Sequence, residues 1–478
     1  MIPTVFGIVI AGIGLVLLVR AQVPAMYVFV LVCSLMGGSA ALQLPALGGS
    51  SIPPVQFALG FLILRLLLPG SGAGELVKQG IRANGLLVAY ALYGVTMAFV
   101  GPRIFAGRIM VVPMKVTAVY MFAVFKLVPS SQNITASVYM IGTMMLAVAS
   151  YAACRHERGG RALVKTGVVL CWIHIFFGVS GVVLSGTPWS DVLDFFRNGS
   201  YAQLDQRIGT VVRMNGIHPE PSSFAGFGYV WFLFMAECWY RDVSSKATGW
   251  AAFAMGLTLA ASTSSTAYLG LGAYFLILGL RVVFVPDNIP SPKLVRLGMV
   301  ALALAVLVCL IFLLQPGLVA TASDVFTSMT VGKKDSDSAL QRSFWAKQGV
   351  NAFAASMGLG IGPGSFRSSS LPTAVIGATG LFGAIMLLLY VLHVLKPWRA
   401  STYNRVRTTT DASGVAAAWT AVCMLIPASF VSPTSDPGGD FAIFAGAALA
   451  LRLPAGRKRL FRPEAARADH VRRSVVPA

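Results

Sequence analysis

Apolar residues in this chain recur in long blocks separated by short polar punctuation. Met1–Leu18, Met26–Leu44, Val55–Pro69, Gly85–Val100, Thr166–Leu184 and Met299–Leu314 are nearly free of charge. About 20 apolar residues of helix cross a bilayer core. The pattern therefore predicts an all-α integral membrane protein, a polytopic bundle of about 12–14 transmembrane helices. The spans fall near 4–19, 24–44, 53–69, 84–100, 135–153, 166–185, 223–240, 247–262, 266–280, 297–314, 376–395, 412–431 and 440–453. No basic residue precedes the first block, and Arg20 follows it. It reads as a retained helix with its start outside, not as a cleaved leader.

Composition sharpens this picture. The 478 residues are 56% hydrophobic and 11% charged, against about 25% charged in a soluble domain. The net charge of +20 accompanies no nucleic-acid module, so attraction to a lipid bilayer and the positive-inside bias account for it. Arg155, Arg158, Arg161 and Lys165 form one basic loop, and Arg457 to Arg473 a basic tail. Placing both inside also brings the loops 78–82, 241–246, 281–296 and 396–407 inside. One membrane domain of 1–455 results, with a disordered cytoplasmic tail at 456–478. The six cysteines contain no CxxC pair and the five histidines no HExxH spacing. No metal site and no cofactor is expected.

Three segments then lie outside, at about 101–134, 186–222 and 315–375. The part 104–134 is semi-apolar and reads as a loop hugging the membrane, a further crossing or a re-entrant turn. Against the usual bias, the outer segments hold Arg103, Arg108, Lys115, Arg197, Arg207, Arg213, Lys333, Lys334, Arg342, Lys347 and Arg367. Either long loops escape the rule, or cations are kept there for an anionic ligand. Arginine forks suit diphosphate oxygens.

The densest polar string is Arg213-Met-Asn215-Gly-Ile-His218-Pro-Glu220-Pro-Ser-Ser-Phe224, just before an apolar helix. Gly216, Pro219 and Pro221 keep it from being simple helix, and Ser222 or Ser223 is a candidate cap. Glu220 or His218 at an apolar rim suits a general base, although either residue could merely anchor the helix end. The string 338–349, with Leu340 and Phe344 four apart, fits a short interfacial amphipathic helix that points Arg342 away from its apolar face. Gly358-Leu-Gly-Ile-Gly362-Pro-Gly364 follows. Lacking a βα unit, it suits close backbone approach to a helix or a diphosphate, not a nucleotide. Asp436, in Ser432-Pro-Thr-Ser-Asp-Pro-Gly-Gly-Asp440, is placed either to hold a sugar hydroxyl or to make a plain turn. Arg65 and His174 are the charge-capable residues that stand out within spans.

Taken together, these strings resemble the Wzy-type polysaccharide polymerases and O-antigen ligases of bacterial envelopes. The resemblance rests on Arg213…Gly216…Glu220-Pro-Ser…Phe224, on Arg342…Trp345 leading to the glycine string and Phe366, and on Gly380-Leu-Phe-Gly383 opening the next crossing. It covers about residues 80–450. It implies a multi-pass protein of the bacterial inner membrane with its site facing the periplasm. There an acceptor sugar hydroxyl would attack a sugar carried on undecaprenyl diphosphate. Arg213, Glu220, His218 and Arg342 would be catalytic. Arg103, Arg108, Arg207, Asn215, Lys347, Arg367 and Asp436 would bind substrate. The partners implied are the undecaprenyl-diphosphate-linked oligosaccharide, the bilayer, and a chain-length regulator with export proteins. The ligases carry a His about 11 residues before the paired glycines, where this chain has Ser369, which favours a polymerase over a ligase. A lipid-linked-oligosaccharide flippase or transporter is the alternative of another class. It would show mid-membrane charges and repeated halves, and few such charges and no repeat are visible.

Overall fold

Length and mean hydropathy decide which helices can cross a bilayer. Among the described residues of the computed structural model six helices are long and apolar enough: Gly85–Ile104, Ser131–Arg155, Gly159–Val183, Ser265–Phe284, Leu371–Leu395 and the pair spanning Thr409–Val431. Four shorter apolar helices accompany them, Val5–Arg20, Val23–Ser34, Pro54–Leu67 and Gly439–Leu451. This is the make-up of a multi-pass membrane protein, with no barrel. The structure describes residues 2–20, 22–45, 49–68, 73–115, 122–199, 207–208, 211–284, 292–293, 295–296, 298–299, 306, 337–396 and 408–452. Most of the expected span 297–314, the part 315–336 of the expected loop 315–375, and the tail 456–478 lie outside the described residues.

The bundle is built round two helices that are buried over most of their surface. Gly439–Leu451 is buried from Phe441 to Leu451. It packs against Ser131–Arg155 and Thr409–Cys423. At Gly446 an added Cβ would sit 2.2 Å from the Ala147 carbonyl oxygen. Only glycine permits that approach, which brings two backbones within direct dispersion contact. Pro221–Tyr240 is buried on most of its surface, between Ser245–Ala261, Gly159–Val183, Ser265–Phe284 and Thr409–Cys423. On the outer surface large apolar side chains stand uncovered, among them Val19, Trp250, Leu276 and Val183. A soluble protein of this size rarely exposes so much.

Several expected boundaries move. The span 24–44 ends as helix at Ser34. Gly37 and Gly38 then pass directly over His218 and the Ile217 carbonyl, and Leu42–Leu44 enters a small sheet. That sheet is antiparallel, with Leu42–Leu44 between Ile2–Pro3 and Ser50–Ile52. Twelve residues of helix reach only about 18 Å, so the close contact at Gly38 outweighs continued helix. The basic loop at 78–82 is instead part of a helix, Gly74–Ala83, whose buried Leu76 and Gly80 lie four apart. Between Ile104 and Ser131 the described residues contain no crossing. They hold the short hairpin Met110–Val111 with Phe125–Lys126.

The glycine string is a seam between helices. Gly358, Gly360, Gly362 and Gly364 all have φ between +80° and +91°. Added Cβ atoms would come within 2.6 Å of backbone in three different helices: Ala378 and Gly380, Met97, and Gln132. Gly380 itself is non-helical, with φ +62°, inside Leu371–Leu395. The cause is visible in the hydrogen bonds. In an unbroken helix the Leu381 N–H would donate to the Gly377 carbonyl. Here it donates to Gly358 at 2.8 Å, and Ile361 and Gly362 donate to the Gly377 and Ala378 carbonyls at 2.9 Å. The seam satisfies what the kink releases. Leu371–Leu395 is therefore two helical segments joined at this kink, and Gly380 stands where the second, longer one begins.

Candidate functional site

Glu220 is the N-cap of Pro221–Tyr240, with extended backbone (φ −157°, ψ 159°). Pro221 at the first helical position lacks the N–H that would need a partner and holds the helical φ. The capping residue is thus Glu220, displacing the expected Ser222 or Ser223. Both serines instead turn back to the carboxylate. Ser223 Oγ donates to Glu220 Oε1 at 3.4 Å, and Ser222 Oγ donates to the same oxygen.

The arginines of this site come from separate parts of the chain. Arg213 lies within electrostatic reach of Glu220, Arg342 and the Tyr268 hydroxyl. Its Nη2 donates to the Thr263 carbonyl at 3.3 Å, in the turn between Ser245–Ala261 and Ser265–Phe284. Arg342 is half-buried on the helix Asp337–Ala355, its carbonyl accepting from Ser369 Oγ. That helix is longer than the short interfacial one expected. It lies on Leu371–Leu395, where Gly349 approaches the Thr373 carbonyl. Arg367 also lies within reach of Glu220. Its guanidinium stacks over Trp345 at 4.5 Å, and its Nη1 donates to the Met114 carbonyl at 3.3 Å. Partial burial lowers the proton affinity of both Arg213 and Arg367, and Glu220 opposes the effect. Trp345, as the ring under Arg367, is a site residue the sequence named in a motif without a role.

The turn carrying this string is itself packed inside. Asn215 is 8% exposed and His218 3%. The His218 N–H donates to the Asn215 carbonyl at 2.9 Å, and Gly216 takes φ +50° against Gly178. The His218 ring is ringed by His174, Phe224 and Phe227. Burial, with Arg197 nearby, pushes its pKa down to about 3. A neutral imidazole so placed is a poor proton acceptor for a substrate at the protein surface. Of the two candidate bases, the half-exposed Glu220 is the accessible one. Arg197, counted among the outer cations, is 7% exposed. It donates to the Gly216 carbonyl at 2.9 Å and pairs with Asp194 at 3.0 Å. It clamps this turn from within and is not free to meet a ligand.

Asp436 sits beside the cluster in the turn before Gly439–Leu451. The Ser368 N–H donates to the Pro433 carbonyl at 3.1 Å, tying this turn to the segment that carries Arg367 and Ser369. Asp436 accepts from Thr143 Oγ1 at 3.0 Å and from the Gly438 N–H at 3.1 Å. Burial raises its carboxyl to about 6 despite those two donors. It lines a cavity of about 250 Å³ with Gly37, Gly38, Gln56, Tyr139 and Thr143. Four of these six residues carry a hydrogen-bonding side chain. Arg103, Arg108 and Lys347 are exposed, and among the described residues no hydrogen bond or ion pair holds them to Glu220, Arg213 or Arg342. Of Arg207 only the backbone is described, paired with Val212 in a two-stranded ribbon. Among the described residues no group of His, Cys, Asp or Glu is placed to hold a metal.

At the other end of Pro221–Tyr240 is a charged cluster that the sequence reading missed. Glu237 is fully buried and accepts from Arg281 Nη1 at 2.7 Å and the Tyr274 hydroxyl at 2.8 Å. It also pairs with Arg241. Arg281 stacks over Trp419 at 4.3 Å. Arg241 and Arg281 had been read as loop charges marking the inner side. Both are turned inward onto one carboxylate.

In comparisons with known proteins, no family model matches this chain and no curated protein matches it.

Proposed function

We propose that the chain is a membrane glycosyltransferase of the polymerase type. It would join undecaprenyl-diphosphate-linked oligosaccharide repeats into exopolysaccharide or O-antigen at the periplasmic face of the bacterial inner membrane. The single observation that carries this reading is the gathering of Arg213 and Arg367 around Glu220, with Arg342 beside Arg213, at one end of a buried helix. Three guanidiniums and one carboxylate leave an excess of positive charge, which suits a diphosphate leaving group. The full 12–14-span register and the outward orientation of this end belong to the same proposal.

The chemistry follows from that arrangement. An acceptor sugar hydroxyl attacks the anomeric carbon of the lipid-linked sugar. The bond from that carbon to the diphosphate oxygen breaks, and the lipid diphosphate departs with the bonding pair. Arg213, Arg342 and Arg367 stabilise the charge that grows on it. Glu220 takes the hydroxyl proton as the new glycosidic bond forms. The polar cavity at Asp436, large enough for one sugar ring, is placed to orient the acceptor. Ser369, where the ligases have His, holds the backbone of Arg342, so the polymerase reading stands ahead of the ligase one. Arg213, Glu220 and Arg342 meet at one end of the bundle and not along a central path, which favours transfer over transport.

The decisive test is mass spectrometry of undecaprenyl-linked sugars from a strain lacking the protein. A single accumulated repeat, cleared by the intact protein, is the expected result. Accumulation of full-length lipid-linked chains would make it a ligase. Repeats trapped on the cytoplasmic face would make it a flippase.

A further inference from the structure

A second charged cavity lies at the opposite end of the bundle from Glu220. It has a volume of about 560 Å³ and lies between the starts of two helices, Val23–Ser34 and Gly159–Val183. Gly178, near the far end of the second helix, touches Phe224 and Met214 at the first site. Nineteen residues of helix separate Gly178 from Gly159, a distance of about 28 Å. The cavity is thus at the inner end.

Its lining has two parts. Arg158, Arg161 and Lys165 supply positive charge, and no carboxylate lines it. Glu157 stands beside Arg158 in sequence but outside the lining. Among the described residues none of the three cations has an ion pair. Pro24, Ala25 and Val28 supply an apolar wall. Both helices point their N-termini, the positive ends of their dipoles, at this space. Neither N-cap residue, Gln22 or Arg158, caps its helix with its side chain. Three cations at the positive ends of two helix dipoles around one cavity describe an anion site. The apolar wall suits the glycerol and first methylenes of a lipid.

We propose that this cavity binds a phosphate-bearing anion, either the headgroup of an anionic phospholipid or a soluble phosphate. The proposal is independent of the reaction assigned to the other end. The full-length protein, purified in detergent from nanodiscs containing phosphatidylglycerol, is examined by native mass spectrometry. The same is done after incubating lipid-stripped protein with inorganic phosphate. Retention of phosphatidylglycerol identifies a lipid as the source, and retention of phosphate alone identifies a soluble one. The triple variant Arg158→Ala, Arg161→Ala, Lys165→Ala should lower the occupancy constant by about 100-fold, since each cation near a lipid surface contributes about fivefold. Because those residues also guide insertion, Ala25→Trp serves as a second variant that fills the cavity and leaves every charge in place. It should abolish retention equally. Retention by neither wild type nor variants, or equal retention by all of them, overturns the site and leaves the three cations as topology determinants only.

Discussion

The two ends of the helix Pro221–Tyr240 carry charged clusters of similar composition and opposite design. At one end Glu237 is fully buried and is met by Arg241, Arg281 and Tyr274. At the other end Glu220 is half-exposed, and it accepts hydrogen bonds from two neighbouring serines. Arg213 and Arg367 lie within electrostatic reach of it. A charge cluster that has satisfied itself supports the fold. One that gathers several cations around a single half-exposed carboxylate carries an excess of positive charge that suits an anion brought from outside. Breaking a buried pair strands a charge, whereas removing a half-exposed charge changes stability little.

Substitution of Glu237 should therefore give the largest loss of stability. Glu237→Ala leaves the buried Arg281 guanidinium without its carboxylate and should cost about 3–5 kcal/mol. Thermal unfolding in detergent reads it, and an unchanged midpoint would show that the Glu237 cluster is solvated. Glu220→Gln is the matched variant. It should keep the wild-type unfolding midpoint while polymer formation is lost. Activity retained in Glu220→Gln would remove this carboxylate as the base.

Next in size are the arginines around Glu220. Arg342→Ala and Arg213→Ala should each lower polymer synthesis by about 10²–10³-fold, the usual effect of deleting one donor to a developing negative charge. Both proteins should still insert and melt normally. Polymer of normal length and amount from both would end the leaving-group role.

The contrast between the ends also explains what the sequence could and could not disclose. Blocks such as Gly85–Val100 and Thr166–Leu184 announce helices because crossing length is a local property. Arg213, Arg342 and Arg367 were visible because cations in segments read as external defy the topology bias, and Glu220 because it stands in a dense polar string before an apolar helix. Glu237 was not, because one acid three residues from a helix end looks like a residue reaching for water. Its partners lie 4 and 44 residues away. The shortened helix Val23–Ser34 was hidden for the same kind of reason. What ends it is the space at Gly37 and Gly38 that His218 and Ile217 require, a contact across about 180 residues. His218 looked like a base because the string around it is polar, and burial among aromatic rings is a property of the fold.

A smaller effect tests whether the seam that carries Arg367 is rigid. Gly362→Ala would put a Cβ 2.3 Å from the Met97 carbonyl oxygen at φ +91°. It should lower stability by about 1–3 kcal/mol, read as a lower unfolding midpoint. The same substitution at Gly12, which has open space around it, should leave the midpoint close to wild type. Equal midpoints for the two variants would show that the seam yields.

The last test is in pH, and it separates His218 from Asp436 by sign. The folded pKa of His218 is lowered to about 3, so between an unfolded value of about 6.5 and that point only the unfolded chain binds the proton. Its contribution to stability is present above about pH 6.5 and is lost as pH falls toward 3. Asp436 is raised to about 6, so the folded chain holds its proton longer than the unfolded one. Its carboxylate weakens the fold as pH rises from about 4 toward 6. His218→Phe should flatten the acid limb of the unfolding midpoint, and Asp436→Asn the rise on going from pH 6 down to 4. Ionised Asp436 is also the form that accepts a sugar hydroxyl, so activity should climb through about pH 6 in the wild type and lose that inflection in Asp436→Asn. An activity profile unchanged in Asp436→Asn would leave the cavity without a part in acceptor binding, while the arginine cluster at Glu220 would stand on its own tests.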